Sequence, residues 1–232
     1  NGHLDNGSTL FLGGGINNSG TLTLTKSTVS SNTTVIGGGI NNSGTLTLSN
    51  STVSGNTAAN GGGGIFTSGT ATLNDSVVHS NTASVIGGGV FNNGTVTLNS
   101  STVSGNSSNG SGGGICNNTN ATFILNNSTI GGSTSDERNT AATDGGGLLN
   151  RGNTTLNRSN VAGNVSTNGN GGGIFNEANA SLTVTGGTLQ YNKLLLAGTS
   201  GGGLYNAGSA SFSLAAIDHN GILCNGAGIY NT

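Results

Sequence analysis

The chain has 232 residues, of which only 5% are charged and 31% hydrophobic, with 46 glycines and no proline, methionine or tryptophan. A formal net charge of −2, with five scattered lysines and arginines, leaves no electrostatic basis for nucleic acid or an anionic membrane as a partner. No run reaches the roughly 18 to 20 consecutive apolar residues of a membrane span, so direct membrane insertion is not expected.

By composition alone this is a disordered, low-complexity chain. The register of its apolar residues argues otherwise. Gly-Gly-Gly followed by an aliphatic residue begins at Gly13, Gly37, Gly62, Gly87, Gly112, Gly145, Gly171 and Gly201, with a degenerate Gly226-Ala227-Gly228-Ile229 after them. The dominant step of about 25 residues identifies a repeat protein running from end to end, a single domain over residues 1–232.

Each repeat reads in chain order as three short strands between Gly, Ser and Asn turns. The first follows the glycines and carries the column Ile16, Ile40, Ile65, Val90, Ile115, Leu148, Ile174, Leu204, Ile229. The second alternates with period 2, as in Leu22/Leu24, Leu46/Leu48, Ala71/Leu73 and Val96/Leu98, and so directs Thr21 and Thr23 and their successors outward. The third carries Val29, Val53, Val78, Val103, Ile130, Val161, Leu189 and Ile217. Closing three strands in one repeat returns the chain one strand spacing above its start. The expected fold is therefore all-β, a right-handed parallel β-helix of about nine coils, roughly 40 Å long. The absence of proline suits strands that are nearly all central.

Two asparagine columns are expected to be structural ladders. One is Asn18, Asn42, Asn92, Asn117, Asn150, Asn176, Asn206 and Asn231, interrupted by Thr67; the other is Asn32, Asn56, Asn81, Asn106, Asn164, Asn192 and Asn220, interrupted at Ser133. A further column, Asn17, Asn41, Phe66, Phe91, Cys116, Leu149, Phe175, Tyr205, Tyr230, lies one residue past the core aliphatic and is expected to face outward as an apolar stripe or a covered groove. Cys116 and Cys224 are about four coils apart, beyond disulfide reach, and are expected as free thiols.

The Gly-Gly-Gly-Ile/Val-Phe-Asn runs, such as Gly88-Gly89-Val90-Phe91-Asn92 and Gly172-Gly173-Ile174-Phe175-Asn176, with the trailing Asn-Ser-Thr-Val-Ser-Gly-Asn, resemble repeats of large secreted bacterial proteins of the polymorphic outer-membrane and autotransporter-passenger type. That resemblance covers nearly the whole chain. It implies a right-handed β-helix at the cell surface or outside the cell, in an adhesin, surface-layer part or scaffold, since such passengers serve in all three roles.

Catalysis on polysaccharides by a β-helix needs carboxylates gathered on one face. Asp75, Asp144, Glu177 and Asp218 fall in different coils and columns, and Asp218-His219 has no second carboxylate in register. No catalytic residue, metal site or cofactor is expected, and a polysaccharide-acting enzyme is the third reading. The longest departure from the repeat, Gly131 to Asp144, holds Ser135-Asp136-Glu137-Arg138-Asn139 and reads as a solvated loop or, more sharply, as a ligand or ion site on an uncharged rod. Leu194-Leu195-Leu196 reads as a packing plug or lateral contact.

The outward pairs Thr21/Thr23, Thr45/Thr47, Thr70/Thr72 and Thr95/Thr97 form two rows that look like the ice-binding arrays of antifreeze proteins, and then decay to Thr122/Ile124, Asn153/Thr155, Ser181/Thr183 and Ser209/Ser211. They are the candidate binding residues. The leading expectation is a non-enzymatic extracellular structural or adhesive module, with ice binding as the alternative. Its partners would be a surface glycan or protein, or further copies through coil stacking or lateral contact, and the chain would be a segment of a longer passenger or a stacking subunit.

Overall fold

The three glycines that open each repeat have different physical reasons to be there. The first takes the left-handed region: Gly13, Gly37, Gly62, Gly87, Gly112, Gly145, Gly171, Gly201 and Gly226 all have φ between 57° and 73°, where a side chain is disfavoured. The second meets backbone, since a Cβ on Gly63 would lie against the carbonyl oxygens of Gly88 and Thr82. The third meets a ladder: a Cβ on Gly64 would sit 2.7 Å from the Gly89 carbonyl oxygen and 2.9 Å from the Asn81 amide nitrogen. The triplet is thus a corner drawn tight enough that the next coil can rest on it.

The structure, a computed structural model, describes residues 3–5, 12–221 and 225–232. It is an all-β parallel β-solenoid of about nine turns, with strands in three sheets and every strand pairing parallel. The strands after the triplets, from Ile16–Asn18 to Ile229–Asn231, make a nine-stranded sheet in which Ile65 stands over Ile40 and Val90 over Ile65. The second and third strands of each repeat share one 15-stranded sheet. Between them the chain bends at a left-handed residue, Lys26, Asn50, Asp75, Ser100, Asn127 and Arg158 in successive coils, with φ of 46° to 50°. In Asn153–Ala162 and Ser181–Gln190 the two are one continuous strand.

The third sheet comes from a fourth segment that the apolar columns do not announce. Its seven strands include Thr33–Ile36, Thr57–Gly61, Thr82–Ala83, Ser107–Ser108 and Thr140–Ala141. The inward residues from Ala58 to Ser166 are small, namely Ala58, Ala83, Ser108, Ala141 and Ser166, and all are buried; the column ends on the larger, buried Leu194. Small side chains suit a wall that lies close to the triplet glycines.

Inside runs a column of aliphatics, with Ile40, Leu46, Leu48 and Val53 all fully buried within one coil. Bulk is traded along the axis. Leu46, Ala71, Val96, Phe123 and Thr154 stand in one register, so the large Phe123 fills space beside smaller neighbours. The Thr154 hydroxyl in that core donates to Asn150 Oδ1 at 2.8 Å.

Both asparagine ladders are present and buried except at their last rungs, where Asn220 is half-buried and Asn231 exposed. In the first, Asn92 Nδ2 donates to Asn117 Oδ1 at 2.9 Å and to the Thr122 carbonyl oxygen at 2.9 Å, tying the turn to the coil beyond. Thr67 does not break it, because its hydroxyl accepts from Asn42 Nδ2 at 2.9 Å. The second ladder departs from expectation at one rung: the residue in line is Asn139, which accepts from Asn106 Nδ2 at 3.0 Å and donates to Asn164 Oδ1 at 2.9 Å. Eight residues lie between Ile130 and Asn139, where two lie between Val103 and Asn106. The extra residues loop outward and leave the ladder whole, since looping a few residues into water costs far less than leaving a buried rung unpaired.

A third ladder is made of serine. Ser51, Ser76, Ser101, Ser128 and Ser159 each accept on Oγ from the backbone N–H of the serine one coil earlier, at 3.0 to 3.1 Å. Each hydroxyl also donates to a carbonyl two residues back, as Ser76 does to Asn74 at 2.8 Å. This caps the bend inside the 15-stranded sheet.

The column one residue past the core aliphatic is less exposed than the alternation implies. Asn41, Cys116 and Leu149 are buried, and Phe66, Phe91, Phe175, Tyr205 and Tyr230 are half-buried. The glycine turn folds back over it, so that a Cβ on Gly112 would come within 3.2 Å of Cys116 Cβ. The rings stack along the axis, Phe175 on Tyr205 at 4.8 Å and Tyr205 on Tyr230 at 5.4 Å. Cys116 is a free thiol; Cys224 lies outside the described residues.

Burial pushes the Cys116 thiol up from 9.0 to about 12, with Arg151 lowering it less and Glu177 raising it. Between those values the unfolded chain loses its thiol proton while the folded chain keeps it. Stability is therefore expected to fall as pH rises from 9 toward 12, by up to roughly 4 kcal/mol at the top of that window. Denaturation midpoints for the native chain and Cys116→Ala across roughly pH 8 to 11 check this, and equal slopes for the two would contradict it.

Candidate functional site

The strands that carry the outward threonines run parallel and in strict register, which brings like residues into rows. Thr21, Thr45, Thr70, Thr95 and Thr122 form one; Thr23, Thr47, Thr72 and Thr97 form the next, which continues to Ile124 and Thr155. Neighbouring hydroxyls stand about 4.8 Å apart along the axis and about 6.6 Å apart along a strand. Thr21, Thr23, Thr45, Thr70 and Thr95 are exposed, and Thr47, Thr72 and Thr97 half-buried between flanking rows.

A third row borders these two. It runs Thr25, Ser49, Asn74, Asn99, Asn126, Asn157. Its amides donate down the axis to the preceding coil, Asn99 to Asn74 at 2.8 Å, Asn126 to Asn99 at 2.9 Å and Asn157 to Asn126 at 2.9 Å. The outward face of the 15-stranded sheet is thus a lattice of hydroxyls and amides. The signal for the third row is the polar residue after each inward leucine, one alternation step past Thr-x-Thr.

Charged residues lie outside these three rows, the nearest being Lys26, Asp75 and Arg158 at the bend beside the third row, where Arg158 lines a hollow with Asn126 and Asn157. Asp75 is a left-handed bend residue, Asp144 accepts from the Asn170 N–H at 2.8 Å, and Asp218 pairs with His219 at 2.7 Å. Among the described residues no three His, Cys, Asp or Glu side chains gather as metal ligands, and no helix is long and apolar enough to cross a membrane. Arg151 and Glu177 pair at 3.2 Å in a notch of about 340 Å³. The notch exists because four residues lie between Asn117 and Thr122 and between Asn176 and Ser181, where two lie between Asn150 and Asn153. Two raised lips, each with a left-handed asparagine, Asn120 and Asn179, flank a low coil.

The loop that departs from the repeat is folded. Ser135–Glu137 is a single 3-10 turn with a capping box to Thr134. The Glu137 carboxylate accepts from the Ser133 N–H at 3.0 Å and the Thr134 N–H at 3.1 Å, and hydrogen bonding to Thr134, then Ser133, holds it below its usual 4.5. A depressed carboxyl supports the folded form above its ordinary range and stops doing so as pH falls through its folded value. The loop is expected to loosen in acid while the coils remain, visible as amide shifts of Ser133 and Thr134 below about pH 4; a loop unchanged at about pH 2 would contradict the cap. Compared with protein-family models, with curated proteins and with solved structures, the chain matches none.

Proposed function

We propose that the chain is a non-enzymatic structural and adhesive β-solenoid of the cell surface or extracellular space, presenting its lattice face to a repeating partner. One observation carries this reading: the threonine and asparagine rows of the 15-stranded sheet lie in register from coil to coil, with Cβ positions set by the backbone ladder. From Thr21/Thr23 to Thr95/Thr97 such a face repeats the same pair of hydroxyls at each coil, bordered by a row of uncharged polar side chains. A partner with its own repeat, such as a surface polysaccharide or the flank of another solenoid, gains one weak contact per coil, and the contacts add because the surface is already rigid. The likeness of the repeats to secreted passenger proteins agrees with this location and role. The acidic side chains support a non-enzymatic reading, since those of Asp144, Glu177 and Asp218 are each engaged in separate coils.

Binding to a broad panel of polysaccharides and cell surfaces is the direct test. Thr47→Glu with Thr72→Glu is expected to weaken whatever binding is found by more than about ten-fold without unfolding, because both side chains point out of the core. No binding across the panel, together with a single monomeric species in sedimentation at all concentrations, would sink both the adhesive and the self-associating forms of the proposal. The register of Thr21/Thr23 through Thr95/Thr97 also favours a second reading, ice binding. It predicts thermal hysteresis and faceted ice crystals, and their absence at millimolar protein removes it.

A further inference from the structure

Two of the five cationic side chains, Arg138 and Lys193, line one pocket of about 200 Å³ together with Ser133, Gly163 and Tyr191. Three coils build it. The outward loop delivers Ser133 and Arg138 from below; the corner of the next coil is Gly163, left-handed at φ 68° and without a side chain; the coil above supplies Tyr191 and Lys193. The register is carried by the Gly132 N–H donating to the Ala162 carbonyl at 2.9 Å and the Gly163 N–H to the Gln190 carbonyl at 3.0 Å. The pocket is therefore a gap left at Gly163 between two larger corners.

Its chemistry is cationic with one aromatic wall. Neither Arg138 nor Lys193 takes part in an ion pair among the described residues. The nearby acids are engaged: Glu137 turns to the Ser133 and Thr134 N–H groups, and Asp218 to His219. Tyr191 stacks on His219 at 5.0 Å, which fixes the ring, and the residue in register on its other side is Gly163. An unpaired guanidinium and ammonium beside a held aromatic face suit an anionic group attached to a ring whose apolar C–H face can lie on the tyrosine. The volume equals about seven waters, the scale of a single sugar ring.

We propose that this pocket binds the anionic group of an acidic saccharide, a uronate carboxylate or a sulfate ester, with Arg138 and Lys193 on the anion and Tyr191 against the sugar ring. The proposal deepens the adhesive reading, on which it rests, by giving the neutral lattice one charged anchor.

The test is titration of the full chain, by calorimetry and amide chemical shifts, with glucuronate, glucose 6-sulfate, glucose and inorganic phosphate. Glucuronate or the sulfate ester is expected to shift the amides of Gly163, Tyr191 and Lys193, while glucose leaves them unmoved. Arg138→Gln and Lys193→Gln are each expected to weaken binding about ten-fold, and the pair to abolish it, with circular dichroism unchanged because both side chains are at the surface. Tyr191→Ala is expected to weaken the sugar acids and not phosphate. Absence of binding by either acidic sugar, or binding that survives in the folded double variant, overturns the proposal. Phosphate binding as tightly as glucuronate overturns the saccharide assignment. If the double variant still binds a neutral polysaccharide through Thr47 and Thr72 while no acidic sugar binds, the anchor fails and the adhesive lattice stands; loss of all binding to wild type removes both.

Discussion

Gly63→Ala is expected to destabilise the solenoid by about 3 kcal/mol or more, the upper end of the range for overpacking substitutions that shift backbone. The added methyl would meet the carbonyl oxygens of Gly88 in the next coil and of Thr82 in the adjoining sheet, and neither is a side chain that can turn away. Relief requires that two sheets separate at that coil. In a solenoid each coil is held by its neighbours, so a break there uncouples the two halves, and denaturant unfolding should change from one transition to two. Two glycines supply the controls. A Cβ on Gly20 would meet nothing within 4 Å and its backbone is not left-handed, so Gly20→Ala should lie within ~0.5 kcal/mol of the native chain. Gly55→Ser should also be mild, because Ser31 and Ser80 occupy the same corner at φ 58° and 55°. A Gly63→Ala chain that unfolds at the native midpoint would show that the close approach is not what holds the coils at their spacing.

Asn81→Ala is the second large effect, expected at ~3–5 kcal/mol from lost hydrogen bonds and buried groups left unsatisfied. The side chain is fully buried. Its amide donates to Asn106 Oδ1 at 3.0 Å and to the Val53 carbonyl oxygen at 3.0 Å, and its oxygen accepts from the Asn56 backbone at 3.0 Å and the Asn56 amide at 2.9 Å. Alanine removes all four and fills none of the space. Asn92→Thr in the other ladder should cost much less, about 1 kcal/mol, since Thr67 already serves there by accepting from Asn42. Chemical denaturation of the three chains tests the ranking. Equal midpoints for Asn81→Ala and Asn92→Thr would mean that the rungs follow the fold and do not hold it.

Both substitutions act on residues whose importance is visible in the repeat, yet for reasons the repeat does not state. The spacing of Ile40, Ile65 and Val90 and the alternation of Leu46 and Leu48 are enough to infer parallel coils about a dry axis, because a side chain that recurs once per turn can be buried only by stacking on itself. Both asparagine columns are legible for the same reason. The serine ladder is equally periodic, but a short hydroxyl is common in turns and its column carries no hydrophobic mark. The fourth strand segment is invisible to hydropathy because its inward residues, such as Ala58 and Ser108, are too small to stand out. Sequence alignment puts Ser133 where Asn139 stands, because counting along the chain assumes that an insertion shifts everything after it, whereas the folded chain extrudes the surplus and keeps its buried hydrogen bonds.

The candidate surfaces divide along the same line. Periodicity and alternation alone make the Thr21 and Thr23 rows readable, since strand geometry converts a repeat of letters into a repeat of positions. The pocket at Gly163 has no such signature: Ser133, Arg138, Tyr191 and Lys193 come from different repeats with no common spacing. Stacking in three dimensions places them side by side, because winding brings residues some 25 to 30 positions apart to one strand spacing of about 4.8 Å, and it does so equally for residues that repeat and for those that occur once.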